Sequence, residues 1–470
     1  MTTSPALPQR SLIHHHDFRQ LWAAETISQI GTQVTQIALP ILAVVTLAAT
    51  EFEMGVLITL ETLAFLVIGL PAGAWVDRWR RKRVLVVNDL VRAVALGSIP
   101  LAYALDMLTL WQLFAVALVT GVSTVFFDVA YQSFLPSLVD KAQIVEGNSK
   151  LEISRAVSQV AGPGAAGLLI KILGAPLMFA FDAISFVASA LFIGRIRHEE
   201  AVHDRSTRRP LRVEIGEGLS FVLRHPLLRR IVACTGTSNF FSTVTATMLV
   251  LFMVRELGFS PAQIGLTFSA GAVGGLLGAA TTTRFAKYFG DGRSTVLGAG
   301  LMIPFAMLIP LSARGMPMLL LLIAWFGVGY AMVLYNIVQV SFRQRLCPIP
   351  LLGRMNASTR FLVWGTMPLG GLVGGTLGSW LGVLPTLWIG ALGSILAFLP
   401  VFLSPLRTMR DLPTEYDAHA GGNDADAGGN DGADPQPEID PHQPGLICPE
   451  ATNTAGPPST VVSGVTDTRT

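Results

Sequence analysis

Long apolar runs separated by short polar turns fill most of the chain. Crossing a bilayer core about 30 Å thick takes roughly 20 apolar residues in helical form. Runs of that length lie near 18–47, 54–76, 84–105, 110–134, 146–172, 175–195, 227–257, 262–288, 293–313, 317–343, 354–381 and 384–405. The pattern predicts an all-α membrane protein with twelve spans. Pro71, Pro100, Pro163, Pro304, Pro368 and Pro385 fall in or beside these spans, where packed neighbours can satisfy the backbone groups that proline frees. The first span lacks a small-residue cleavage site, so it reads as a retained helix rather than a signal peptide.

The same pattern divides the chain. Residues 1–17 precede the first span, 18–195 hold six spans, 196–226 are polar and basic, 227–405 hold six more, and 406–470 form a tail. In the linker, Leu211, Ile215, Leu219, Val222 and Leu223 fall at helical spacing, which predicts an amphipathic helix on the cytoplasmic face. The tail is rich in Gly, Asp, Asn, Pro and Thr and buries too little apolar surface to be expected to fold. The two six-span halves also correspond in sequence. Glu146 to Arg155 answers to Leu352 to Arg360, and the Phe18–Trp22 stretch answers to Leu227–Ile231, at an offset near 205–210 residues. Two six-helix bundles in tandem repeat are expected, with a binding site near the midplane between them.

Charge adds orientation. Connections after even-numbered spans carry Arg78, Arg80, Arg81, Lys82 and Arg83, then Lys141, then Arg205, Arg208, Arg209 and Arg212, then Arg293 and Arg345. The odd-numbered connections carry Glu51, Glu53 and Asp106, with few cations beyond Lys171, Arg255 and Arg314. Basic loops resist translocation, so both termini are expected in the cytoplasm. Composition agrees with the spans: 51% of the 470 residues are hydrophobic and 14% charged, against about 25% charged in soluble proteins. The net charge of +2 is spread over loops and gives no basic nucleic-acid face. Cys234, Cys347 and Cys448 lie far apart and suggest neither a disulfide nor a metal site. His14, His15 and His16 make a poor metal site at a chain terminus. No G-x-x-x-x-G-K-[ST] segment is present, which argues against an ATP-driven pump.

Between spans 2 and 3, Gly73, Asp77, Arg78, Arg81 and Lys82 form a G-x-x-x-D-R-x-x-R-K pattern. An acid inside a topogenic basic loop needs a reason of its own. At this loop the chain resembles the major facilitator superfamily, whose signature loop has this form, although Arg80 stands where the family pattern usually has Gly. A second mark is Gly162-Pro163-Gly164-Ala165-Ala166-Gly167 in span 5, similar to the family's antiporter motif G-P-x-x-G-G with Ala166 replacing one Gly. Proline removes a helix hydrogen bond and glycine permits close backbone approach. The resemblance covers about 17–405 and is closest to the branch of drug, macrolide and enterobactin exporters. It implies a multi-pass plasma-membrane transporter rather than an enzyme, acting as a monomer without cofactor or nucleic-acid partner. Its partners would be a small amphipathic substrate, protons and the lipid bilayer. A facilitator or importer on the same fold is the alternative.

A charge at the centre of a membrane helix costs about 2.5–3.5 kcal/mol on insertion scales, so each one needs an explanation. Asp77, Arg81 and Asp128, grouped with Gly73, Arg78, Lys82 and Arg92, resemble the family's cytoplasmic gate, with Asp128 pairing an arginine of the loop and Asp77 at the start of span 11. These charges either gate the path or only anchor the loop. Glu152 and Arg155 stand three apart on one helix face, with Arg92 nearby, as either a static ion pair or a proton-linked one. Glu61 has no cation at i±3 or i±4. Ionising it in a low-dielectric span is costly, so it is a proton carrier, an attractor for a cationic substrate, or a neutral group hydrogen-bonded between helices. Glu25 shares this ambiguity nearer the basic rim. Glycines 271, 274, 275 and 278, with 370, 371, 374, 375 and 378, predict packing seams inside the C-terminal half or at a sliding interface.

Overall fold

The computed structural model describes residues 11–76, 78–140, 143–198, 211–347 and 351–409. Asp77, Lys141, Arg205, Arg208, Arg209, Cys448 and the predicted disordered tail from 410 onward lie outside the described residues. The first half contains α1 (His16–Ile41), α2 (Glu51–Val67), α3 (Gly69–Val76), α4 (Arg81–Ala104), α5 (Leu110–Leu138), α6 (Ile144–Leu173) and α7 (Ala175–Gly194). The linker carries α8 (Leu211–Arg224). The second half contains α9 (Pro226–Leu251), α10 (Pro261–Phe289), α11 (Asp291–Leu311), α12 (Pro317–Leu346), α13 (Leu352–Trp364), α14 (Thr366–Leu381) and α15 (Val383–Phe402).

Among the described residues, eleven helices are long and apolar enough to cross a membrane, one fewer than the sequence pattern predicts. The second expected span is divided at Ile68 into α2 and α3, and the eleventh at Gly365 into α13 and α14. The same chemistry breaks both. A proline ring clashes with the carbonyl four residues earlier and cannot donate to it. Pro71 does this to Val67, the last residue of α2, and Pro368 does it to Trp364, the last residue of α13.

The repeat extends to local detail. α1 and α9 both end in a π-turn, Leu42–Thr46 and Phe252–Glu256, and each following helix opens on a capping box, Thr50 with Glu53 and Ser260 with Gln263. Gly174 and Gly382, both at positive φ, start the last helix of each half. Helix packing repeats too: α1 lies on α6 and α7 as α9 lies on α14 and α15, and α2 lies on α5 as α10 lies on α12. Between the bundles, α2 packs on α14 and α6 on α10.

The linker helix α8 packs on α13 and α9. Val222 is buried, Glu217 pairs with Arg354, and a side chain on Gly218 would meet the Arg354 carbonyl at 2.6 Å. Its apolar face therefore covers the C-terminal bundle.

The buried core divides unevenly. At the end carrying the cation-poor connections, one continuous cluster takes in residues of both bundles, from Val44, Met54 and Ile170 to Met253, Ile264 and Leu387. At the basic end the clusters are separate, one around Phe18, Phe134 and Leu138 and others around Phe342, Leu346 and Met355. The bundles are thus welded at the cation-poor end and hold independent cores at the basic end.

Candidate functional site: a path between two bundles

The weld is made of glycine. A Cβ built on Gly55 of α2 would lie 2.6 Å from Gly375 Cα and 2.7 Å from the Gly371 carbonyl of α14. On the opposite side of the molecule's pseudo-symmetry, a Cβ on Gly167 of α6 would lie 2.4 Å from the Pro261 carbonyl, and one on Gly265 of α10 would lie 2.3 Å from the Pro163 carbonyl. The predicted antiporter-like motif, Gly162, Pro163 and Gly167, therefore lies on this seam, with Gly162 turned inward onto Gln33 of α1. Thr59 adds a hydrogen bond across the seam, its Oγ1 donating to the Pro368 carbonyl at 3.0 Å.

The glycine stripes predicted from sequence separate into two kinds. Gly274 and Gly278 meet the backbone of Phe326 and Tyr330 on α12, inside the C-terminal bundle. On α14 the neighbours alternate: Gly370 and Gly374 face Phe240 and Val244 of α9, whereas Gly371 and Gly375 face Thr59 and Gly55 of α2, and Gly378 meets both Met248 of α9 and Glu51 of α2.

An ion pair stands over the seam. Arg255, at the end of the α9 π-turn, donates from Nη1 to Glu51 at 3.2 Å and from Nη2 to the Ala49 carbonyl at 2.6 Å. Both side chains are about one-third exposed, at 37% and 26%, and exposed pairs contribute at most about 1 kcal/mol. The glycine contacts should carry the closure, so Arg255→Ala is expected to change transport by less than about five-fold. A transport assay on this variant checks it.

The basic end is joined more lightly. Arg360 of α13 reaches Asp128 of α5 at 3.9 Å and Gln132 at 3.4 Å. Arg360 also lies over the Trp364 ring at 4.7 Å, and Trp364 meets Phe65 of α2 edge-on at 4.7 Å.

Of the other predicted residues, Arg81 donates to the Ser133 carbonyl of its own bundle at 3.1 Å, and Lys82 donates to the Ile196 carbonyl at 2.5 Å. Arg78 is exposed, and a Cβ on Gly73 would meet nothing within 4 Å. Asp77, predicted to contact the start of span 11, lies outside the described residues. Glu152 and Arg155 are exposed, and no ion pair joins them. Glu25 is buried and accepts from Gln29 Nε2 at 2.8 Å. Glu61 is half-buried near the middle of α2, where its backbone carbonyl touches Gly121 of α5. Among the described residues its carboxylate has neither an ion-pair nor a hydrogen-bond partner. It stands one turn from Phe65 on the same helix face, the face that meets Trp364 of the other bundle.

Arg92, grouped with the gate on sequence, is instead locked inside the N-terminal bundle. It pairs with Asp89 at 2.5 Å and is sandwiched between Phe127 and Phe186, at 4.4 and 4.1 Å from the ring centroids. Removing one member of a buried pair strands the other, at about 3–5 kcal/mol. Arg92→Met should lower the melting temperature sharply, read by a thiol-reactive dye at the buried Cys234 and Cys347. Adding Asp89→Leu should recover much of the loss.

A further buried carboxylate, Asp182 of α7, accepts from Thr35 and Ser185 and sits where a side chain on Gly31 would collide with it. Local sequence gives no sign of this partnership, because Thr35 lies 147 residues away.

This architecture of two repeated bundles is matched by the family model described as Major Facilitator Superfamily, over residues 21–367. The chain belongs to the major facilitator superfamily. Relatives of this member include the multidrug efflux pump Tap of Mycolicibacterium fortuitum, 29% identical over 402 residues, covering 83% of this chain and 96% of Tap. Another is macrolide efflux protein A of Streptococcus pyogenes, 23% identical, covering 84% of this chain and 97% of that protein. Among solved structures, a bacterial homologue of the iron transporter ferroportin in an inward-facing state superposes with a TM-score of 0.65 at 16% identity, over 84% of this chain and 99% of that one. The nucleoside transporter NupG gives 0.66 at 13% identity, over 82% and 98%. Both show that the fold is shared. This facilitator-superfamily chain is a multi-pass membrane transporter, not an enzyme.

Proposed function

We propose that the chain exports amphipathic small molecules, such as drugs or macrolides, from the cytoplasm by proton-coupled alternating access. The observation that carries this reading is the uneven core: one cluster welds both bundles at the cation-poor end, and separate clusters lie at the basic end. If the basic end is cytoplasmic, as the resistance of cationic loops to translocation argues, this is an inward-facing state ready to load substrate from inside. The names of relatives spanning nearly their whole length, a multidrug efflux pump and a macrolide efflux protein, favour export. Glu61 supports coupling, because an unpaired carboxyl facing the path can exchange a proton when water reaches it. In the outward-facing state the seam would part and the Arg360–Asp128 contact would tighten, so the same carboxyl would meet the outside. This reading sets the chain in the plasma membrane with both termini on the cytoplasmic side, supported by the cation-rich connections.

Efflux of a fluorescent cationic dye from cells expressing the chain, with and without a protonophore, tests the reading. Protonophore-sensitive efflux is expected. Dye accumulation driven inward, or efflux indifferent to the protonophore, would overturn it.

A further inference from the structure

A groove of about 820 Å3 opens between α4 and α5 at the basic end, apart from the path between the bundles. Val87, Val91 and Val119 line its apolar length and are all exposed. Val119 lies nine residues before Asp128 on α5, and at 100° per residue that places it on the opposite side of the helix. Asp128 faces the other bundle through Arg360, so the groove faces outward, where hydrocarbon lies. Arg78, Arg80 and Arg83 stand at its mouth. Unlike Arg81 and Lys82, which are held by backbone carbonyls, none of these three has an ion-pair or hydrogen-bond partner for its guanidinium among the described residues. Trp79 lines the groove beside them, packed on Phe126 at 5.8 Å and half exposed.

Three uncompensated cations over an apolar slot have a definite complement. From Arg83 to Val91 the slot runs about 12 Å along α4, at 1.5 Å per residue, close to the reach of an acyl chain into one leaflet about 15 Å deep. Basic pockets between membrane helices at the cytoplasmic side suit anionic head groups. We propose that this groove is a binding site for an anionic phospholipid of the adjoining leaflet. Its phosphate lies among Arg78, Arg80 and Arg83, and one acyl chain lies along α4 and α5. Because Arg81 at the start of α4 is tied to Ser133 of α5, a lipid seated here also braces the α4–α5 pair at the basic end.

The test uses the full-length chain in detergent, delipidated and titrated with phosphatidylglycerol or phosphatidylcholine, with adducts counted by native mass spectrometry. Phosphatidylglycerol should be retained in preference. In Arg80→Gln/Arg83→Gln that preference should fall about 25-fold, at roughly five-fold per arginine, with phosphatidylcholine binding unchanged. Val119→Trp, which fills the slot and keeps every arginine, should also abolish it. Equal retention of the two lipids by the unaltered chain, or a preference that survives either variant, overturns the proposal. A second readout needs no charge substitution: in vesicles, phosphatidylglycerol brominated on its acyl chains should quench tryptophan fluorescence more than brominated phosphatidylcholine at the same fraction. Trp79→Phe should remove the excess. Quenching that is equal for the two lipids, or an excess that persists in Trp79→Phe, overturns the proposal even if the arginine variant fails to fold.

Discussion

Glu61→Gln is expected to abolish protonophore-sensitive efflux, lowering it at least about ten-fold, equivalent to about 1.4 kcal/mol of lost coupling. The reasoning is local. Glutamine keeps the shape of the side chain and can still hydrogen-bond, but it cannot bind and release a proton in the working range. Since the Glu61 carboxyl holds up no partner among the described residues, its loss should leave folding intact, and the melting curve should match that of the unaltered protein. This separates it from Glu25, which holds Gln29, and from Asp128, which holds Arg360: their amides would disturb a contact as well as a charge. The measurement is dye efflux at external pH from about 5.5 to 8. The unaltered chain should slow as the outside becomes alkaline, and Glu61→Gln should give a flat, low profile. A profile in the variant that keeps both its height and its slope would move the coupling role to Glu25 or another carboxylate.

Most of the spans and the tandem repeat were legible because hydrophobic length is a local property and the halves share their turn chemistry. What sequence left open was which neighbour each marked residue meets. Pro71 and Pro368 are visible as prolines in spans, but their effect, a matched break in two helices that pack together, requires knowing that α2 and α14 are neighbours. The α14 glycines read as one stripe, whereas adjacent members serve different contacts. Gly55, the partner of Gly375, stands alone in its helix and carries no pattern. The i,i+3 spacing is equally ambiguous. Asp89 with Arg92 and Glu152 with Arg155 have the same spacing, yet burial closes the first pair at 2.5 Å and exposure leaves the second apart. Glu51 and Arg255 were counted only as loop charges, because nothing in a sequence links positions 204 residues apart.

The adjacent residues Gly374 and Gly375 give the sharpest test of whether the α2–α14 seam is a moving surface. A Cβ on Gly374 would sit 3.0 Å from Val244 Cα, inside the C-terminal bundle. One on Gly375 would sit 2.7 Å from Gly55 Cα, across to the other bundle. Backbone cannot swing aside as a flexible side chain does, so a leucine at either site must push two helices apart. Overpacking of this kind costs about 1–3 kcal/mol or more, but the cost falls on different equilibria. Within a bundle the two helices are packed in every state, so Gly374→Leu should lower folded yield and melting temperature. Across the seam the cost applies only while the cation-poor end is closed, so Gly375→Leu should fold normally and shift the population toward the state open there. A bias of about 3 kcal/mol changes a two-state ratio more than a hundred-fold, enough to stall a cycle that must visit both states. Transport should therefore fall at least about ten-fold in Gly375→Leu at unchanged stability, while Gly194→Ala, where a Cβ meets nothing within 4 Å, should leave it unaltered. Gly167→Leu, opposite Pro261 on the α6–α10 seam, should repeat the Gly375 result. Equal loss of folding in Gly374→Leu and Gly375→Leu would mean that the seam is a fixed part of one core, because only an interface that opens can spare the folded state while arresting transport.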